Sequence, residues 1–406
     1  MIHPPTYAHS DRIALYSPEF AALPHECYRD MRKRFGSLVP VELSPGVPAT
    51  LVIDYRTAVQ VLHDPAHFPV DPRVWEKDVP DECPVKPMLA WRPNAIRNSG
   101  QEHRRYREAN VAALSAVDLH GLHAVVERIA VPLIGQFCET GSADLIADYA
   151  RPLAFQVVNA MLGCSPDIGQ RVATGVITLF EGSDAAAGNA MLVGALSELV
   201  AGKRAEPGDD VTTRLVQHPA GFDDQEVIEQ LVTLYAAGVE PVHNLIVNTL
   251  LLILTNDRFA GNLLGGSLST RDALDEVLFL DPPIANFCMT YPRQPVLLDE
   301  VWLPAHQPVI ISIAACNNDP TISGGDYTGN RSHLAWGAGP HACPARQSGY
   351  LIAQDGVDQL LDALPEIELS VEPGELVWRP GPFHRALATL PVTFDPARPF
   401  ASWQPG

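Results

Sequence analysis

The stretch that decides the fold is His333 to Arg346, which reads HLAWGAGPHACPAR. A glycine-rich turn delivers one cysteine, Cys343, and the pattern beyond it predicts the start of a helix. Gly337 and Gly339 carry no Cβ, so the backbone there can approach something flat and large. A helix starting at the sulfur would aim its N-terminal dipole and free N–H groups at it and lower the thiol pKa. Pro344 suits the first helical position. Two readings stand open on this loop alone. One is a buried structural cysteine in a glycine turn. The other is a soft thiolate held in an apolar loop, a good ligand for haem iron.

The rest of the chain narrows the setting. Of 406 residues, 46% are hydrophobic and 19% charged, the profile of a globular protein rather than a disordered one. Lys plus Arg total 28 against 48 acidic residues, a formal net charge of −20 that argues against nucleic acid and anionic membranes as default partners. Met1 to Ser17 shows no basic start followed by an apolar run, so no signal peptide is expected. The longest apolar stretch, Leu245 to Leu254, is about half of the roughly 20 residues a membrane span needs. Seven scattered cysteines, an odd number at no metal-like spacing, fit a reducing cytoplasm better than a disulfide framework. The 37 prolines are dispersed and punctuate loops and helix starts.

Periodicity predicts a helix over 24–35 ending at Gly36, then a β-hairpin from VPVEL and ATLVIDY. A short helix is expected from Arg56 to Leu62, then a long proline-rich loop over 64–100. From 101 to 280 the signal is almost purely helical, strongest from Asp224 to Leu254, whose second half is apolar nearly all round and so should be buried. A helix from Thr270 to Leu280 leads into strand-like pieces: VLLDEVWL, PVIISIAA, ELSV and ATLPVTF. The expectation is one domain over 1–406, mainly α, with small and mostly antiparallel sheets at either end.

The cysteine stretch resembles the haem-binding loop of cytochromes P-450, F-x-x-G-x-H/R-x-C-x-G. Trp336 stands at the aromatic position, Gly339 at the glycine, His341 at the basic residue and Cys343 at the axial thiolate, while Ala345 replaces the last glycine. The resemblance runs along nearly the whole chain in order. His103 and Arg107 in EHRRYR match the H-x-x-x-R whose cations pair with a haem propionate. AAGVE at 236–240 matches the A-G-x-E/D of the long helix over the haem. AACNNDP at 314–320 is similar to A-x-N-R-D-P, and LPVTF at 390–394 to the closing strand. The resemblance implies a triangular helical prism around a buried haem b, with Gly337 also in the cofactor loop.

Three departures from the family pattern stand out. The E-x-x-R motif reads Glu276-Val277-Leu278-Phe279, so its arginine is lost. The meander arginine is Asn318. A lone buried carboxylate is costly, so Glu276 is expected to find Asn318, backbone amides or His333, with apolar repacking around Phe279. The acid–alcohol pair reads Glu240-Pro241. Proline offers no hydroxyl, and inside a helix it frees the carbonyl four residues back, at Ala237. Glu240 is then the candidate proton source, with His243 behind it. Arg293 is the nearest candidate for the family's further propionate-binding arginine, about three residues out of register, and Thr290 is the alternative occupant of that slot.

The function implied is a cytoplasmic monooxygenase using O2, a small organic substrate, and electrons from a ferredoxin or flavoprotein. The departures keep two alternatives: a peroxide-using or non-oxygenating haem-thiolate enzyme, and a haem-binding protein without catalysis. Substrate contacts are expected from 68–100, 178–192 and the helix near Ala236, with 183–190 as a mobile lid. A local basic patch for an acidic donor would draw on Arg104, Arg105, Arg346 or the run 29–34.

Overall fold

A computed structural model describes residues 12–181, 185–260, 268–322, 327 and 329–399. Helix ends follow local chemistry. Pro24–Phe35 begins on proline and stops at Gly36, whose φ of 77° takes the chain out of the helix. Thr270–Leu280 is opened by a capping box between Ser269 and Asp272. The central helix, Asp224–Thr255, is opened by a capping box between Asp223 and Glu226. Its 32 residues span about 48 Å at 1.5 Å per residue. From Val242 to Leu250 every residue is buried, as the all-round apolar pattern requires. By length and composition this helix could also cross a membrane, but more than half of its most apolar window is packed against protein, as in a core helix.

Helix Thr270–Leu280 contributes to that burial together with two further helices, Arg151–Leu162 and Arg346–Ala363. The latter two close on the central helix at Gly356, where a Cβ would lie 2.8 Å from Leu153 and 3.2 Å from Ile246. The helix that follows Cys343 is thereby fixed against the helix that carries Glu240.

The expected hairpin forms, with Leu38–Glu42 antiparallel to Pro48–Val52. The pairings are mostly antiparallel, as expected, but the strands are not confined to separate sheets at either end. Pro48–Val52 also pairs in parallel with Val309–Ser312, and Ile13–Ala14 runs parallel to Leu38–Glu42. One mixed five-stranded sheet therefore joins both ends of the chain, closed by Asn286–Thr290. Its central strands are apolar on both faces and buried on both, which favours parallel pairing inside the sheet. The segment VLLDEVWL folds back on itself as Val296–Leu298 and Val301–Leu303. Asp299 and Glu300 make the turn with φ of 43° and 64°, as a two-residue hairpin demands. The end of PVIISIAA is helical instead of extended, because the Ser312 side chain caps Ile313–Asn317. The long loop 64–100 holds a 3-10 turn, Trp75–Asp78, and a short helix, Lys86–Leu89. Trp75 packs on Tyr291 with ring centroids 5.6 Å apart. Of the expected lid, residues 185–190 begin the helix Ala185–Ala205, and 183 and 184 lie outside the described residues.

Candidate active site

The cysteine loop is shaped by its own backbone. Gly337 donates its N–H to the Leu334 carbonyl at 2.8 Å, and Cys343 donates to the Trp336 carbonyl at 2.7 Å. Both glycines are left-handed, at φ 65° and 66°. Gly339 also lies hard against the end of helix Tyr55–His63, where a Cβ would fall 2.1 Å from the Leu62 carbonyl oxygen. Glycine is the one residue that fits there. The helix beyond begins at Arg346, so Pro344 occupies a turn before it rather than its first position. The expected lowering of the Cys343 thiol is also corrected. Burial raises its pKa and outweighs the opposing pull of the Ala345 N–H, Arg107 and Arg346.

Across from this loop, helix Gly100–Ser115 carries His103 and Arg107. The rings of His103 and His341 face each other with centroids 4.0 Å apart. Burial pushes His103 down to about 4, reinforced by Arg107 and Arg104. Burial and the neighbouring His103 and Arg107 push His341 to about 3. His103 Nε2 is buried with no hydrogen-bond partner. Burial also lowers the Arg107 pKa. No carboxylate among the described residues pairs with Arg107. A cluster of buried donors without an anion is unfavourable as it stands. Two carboxylates on a flat group reaching the Cys343 sulfur would satisfy it. The residues present therefore fit a haem: Cys343 would ligate the iron, His103, Arg107 and His341 would hold the propionates, and the glycine loop with Trp336 would receive the ring.

Arg293 is exposed three residues past strand Asn286–Thr290, where it bears on Asp71, whereas Thr290 is buried within the strand. The Thr290 hydroxyl donates to the Val309 carbonyl at 3.4 Å within the sheet.

The central helix changes character over Ala236–Pro241. Ala236 and Ala237 are exposed and residues 238–241 are partly so, whereas the residues that follow are buried. The helix continues through Pro241, which has no N–H to give the Ala237 carbonyl. Glu240 forms an ion pair with Arg379, accepts from Asn244 Nδ2 at 3.2 Å, and lies 3.9 Å from His243 Nε2. Burial alone would raise the Glu240 carboxyl, but His243, Arg379 and His384 hold it at about 2. His243 is itself pushed down to about 4 by burial. At neutral pH the pair is thus a carboxylate beside a neutral imidazole, and Arg379 is the permanent cation. Glu240 is therefore ionised at neutral pH and holds no proton to give. Arg379, 139 residues away, carries no local sequence signal for this role. Gly349 links this stretch to the loop, since a Cβ there would lie 3.4 Å from the Trp336 ring and 3.8 Å from Val242.

The lost ionic network has been rebuilt from other parts. Glu276 does not turn to Asn318, backbone amides or His333. It receives both terminal nitrogens of Arg258, at 3.2 and 3.1 Å. Phe279, in the arginine's place, packs on Tyr327 and His333 with centroids at 5.0 and 5.2 Å. Asn318 donates to the carbonyls of Phe279, Leu280 and Ala314. Asn317 donates to Leu278 O at 2.8 Å and accepts the Leu334 N–H at 2.7 Å, tying helix Thr270–Leu280 to the cysteine loop. The Glu276 side chain is 6% exposed and that of Arg258 56%. Arg258→Ala should therefore cost about 2 kcal/mol, the penalty of an uncompensated buried carboxylate discounted for solvent at the arginine. Thermal unfolding should show a drop that adding Glu276→Gln largely reverses. No drop in the single variant would mean that the pair is not stabilising.

No family model matches the chain. It is 28% identical over 394 residues to cytochrome P-450 107B1 of Saccharopolyspora erythraea, covering 93% of this chain and 96% of that protein. It is equally identical, over 397 residues, to the cytochrome P-450 monooxygenase PikC of Streptomyces venezuelae, covering 94% and 93%. Among solved structures it matches CYP154C4 from Streptomyces sp. ATCC 11861 with a TM-score of 0.85 and 25% identity, over 96% of this chain and 99% of that one. The fold is that of a haem-thiolate protein, and the site is built for its cofactor. The chain is a cytochrome P-450 of the bacterial kind, an oxidoreductase with haem as its cofactor, in which Phe279 and Pro241 replace two usual motif residues.

Proposed function

We propose that this protein is a haem-thiolate monooxygenase that oxidises a small organic molecule with O2 and electrons from a separate acidic donor, in the cytoplasm. The observation that carries this is the close approach at Gly349, where Trp336 of the cysteine loop and Val242, next to the accessible stretch Ala236–Pro241, both come within reach of one point. Haem bound through Cys343 supplies the oxygen chemistry. The chain's residues do the rest. His103, Arg107 and His341 would orient the cofactor, the buried half of the central helix keeps water out of the core beside the site, and Glu240 sets a negative charge, paired with Arg379, at the accessible stretch.

A basic patch beside the cysteine supports an acidic donor despite the net charge. A surface cavity of about 390 Å³ along helix Arg346–Ala363 is lined by Arg271 and Arg346, by Arg331, which also pairs with the buried Asp275 at 3.5 Å, and by Asp355. Arg105, by contrast, is engaged by Glu226, and the cations of 29–34 are largely spent locally, as in Lys33–Asp30 and Arg32 to the Ile53 carbonyl. The PikC relative is named a monooxygenase, and 6-deoxyerythronolide B hydroxylase is a relative at 25% identity, which supports an oxygenated product.

Purified protein, reduced under carbon monoxide, should give the red-shifted Soret band of thiolate ligation. Persistent absence of that band defeats the proposal. Pro241 favours a second reading, a peroxide-using enzyme, because the position offers neither hydroxyl nor N–H. Pro241→Thr separates the two. Under the monooxygenase reading, a hydroxyl at this position should raise product formed per electron pair consumed, up to about tenfold given ordinary acid–base contributions. An unchanged yield, together with turnover on added peroxide, favours the second reading.

A further inference from the structure

We propose that Arg97 is the cation that binds a haem propionate in this chain, replacing the arginine that strand Asn286–Thr290 does not supply. The inference rests on the haem site described above and deepens it.

Three observations carry it. Arg97 is 7% exposed, yet its hydrogen bonds go only to backbone carbonyls, Met88 O at 2.6 Å and Ile96 O at 3.5 Å. Among the described residues no carboxylate pairs with it. A buried guanidinium without an anion is strongly disfavoured, so the fold implies an anion at this point. The second observation is position. The guanidinium lies 5.6 Å over the ring of Phe287, on the same strand as Thr290, and its charge bears on His341. Arg97 thus enters the cluster of His103, Arg107 and His341 from the strand side, where Thr290 offers no charge. The third is rigidity. Asn94 Oδ1 accepts the N–H groups of both Ile96 and Arg97 at 3.0 Å. Asn98 Nδ2 donates to the carbonyls of Arg92 and Asn94 at 2.8 and 2.7 Å, and Asn98 is fully buried. The loop around Arg97 is therefore held in shape by its own amides, which places the guanidinium before any ligand arrives. Arg293, exposed and near Asp71, has no such setting.

A carboxylate is the shared chemistry, and it has two sources: the cofactor's propionates or an acidic substrate. Haem-loaded wild type, Arg97→Ala, Arg97→Lys and Arg293→Ala are compared by the rate of haem transfer to excess apomyoglobin and by the iron reduction potential. Loss of one charge-assisted contact predicts transfer about ten- to a hundredfold faster for Arg97→Ala. Its potential should also fall, because a cation near the ring stabilises the reduced form. Arg97→Lys should restore the potential, and Arg293→Ala should change neither readout. A merely structural role would not make the potential follow the charge. If Arg97→Ala matches wild type in both readouts, the proposal is overturned. If it matches them but weakens the spectral shift given by a long-chain fatty acid, the carboxylate is the substrate's and the proposal is equally overturned. Neither readout requires turnover, so failure of the monooxygenase reading leaves this test intact, whereas a wild type that takes up no haem defeats both.

Discussion

Gly339→Ala should leave a chain that retains little haem. The left-handed backbone at this position already disfavours a side chain by about 1–3 kcal/mol. The new Cβ would also lie 2.1 Å from the Leu62 carbonyl oxygen. Backbone lies on both sides of that clash, so no rotamer relieves it. Either the end of helix Tyr55–His63 moves or the loop does. The loop is the weaker partner, and Ala342 and Cys343 are held by single hydrogen bonds to Gly339 and Trp336. A total of about 3–5 kcal/mol follows. Gly337→Ala is the control, because its φ is nearly the same but its would-be Cβ meets nothing closer than 3.6 Å. It should cost only the backbone strain, about 1–3 kcal/mol. Haem content per chain and thermal unfolding of the two variants decide the matter. Equal losses would mean that strain alone, not the contact with Leu62, governs the loop.

Asn317→Ala should be the most damaging substitution in the rebuilt network. The residue is fully buried, and its amide is the only link described between the Leu278 carbonyl and the Leu334 N–H. Removing it leaves a buried acceptor and a buried donor unpaired, about 2–4 kcal/mol in all. Asn318→Ala should cost closer to 1 kcal/mol, since that side chain is only partly buried and solvent can reach the site. The order of the two variants in chemical denaturation is the test. If Asn318→Ala is the more harmful, the tie runs through the helix end and not through the cysteine loop.

Much of this was legible in the sequence, and what was not shares one cause. The bounds of Pro24–Phe35 and Thr270–Leu280 could be read because proline, glycine and capping residues act on their own neighbours. Cys343, His341, His103 and Arg107 could be found because their spacing is local to a loop or to one helix turn. Pairings between distant segments left no such trace. The parallel contact of Pro48–Val52 with Val309–Ser312 joins strands more than 250 residues apart. Arg379 meets Glu240 across 139 residues. Arg258 answers Glu276 from another helix, where it looks like any surface arginine. Arg97 escaped notice because a single arginine in a proline-rich loop has no pattern, and only its burial without a carboxylate sets it apart. The expected lowering of the Cys343 thiol failed for a related reason. Burial of the thiol, set by the packing of distant segments, outweighs the Ala345 N–H, Arg107 and Arg346.

The amide tie at Asn317 also bears on the conditions this molecule can tolerate. An ionic clasp weakens as salt screens it and opens when acid protonates its carboxylate. An asparagine does neither. In this chain the ionic contact has moved to the half-exposed Arg258, while the link to Leu334 is neutral throughout. High salt should therefore loosen the outer helix contact long before it disturbs the loop that presents Cys343.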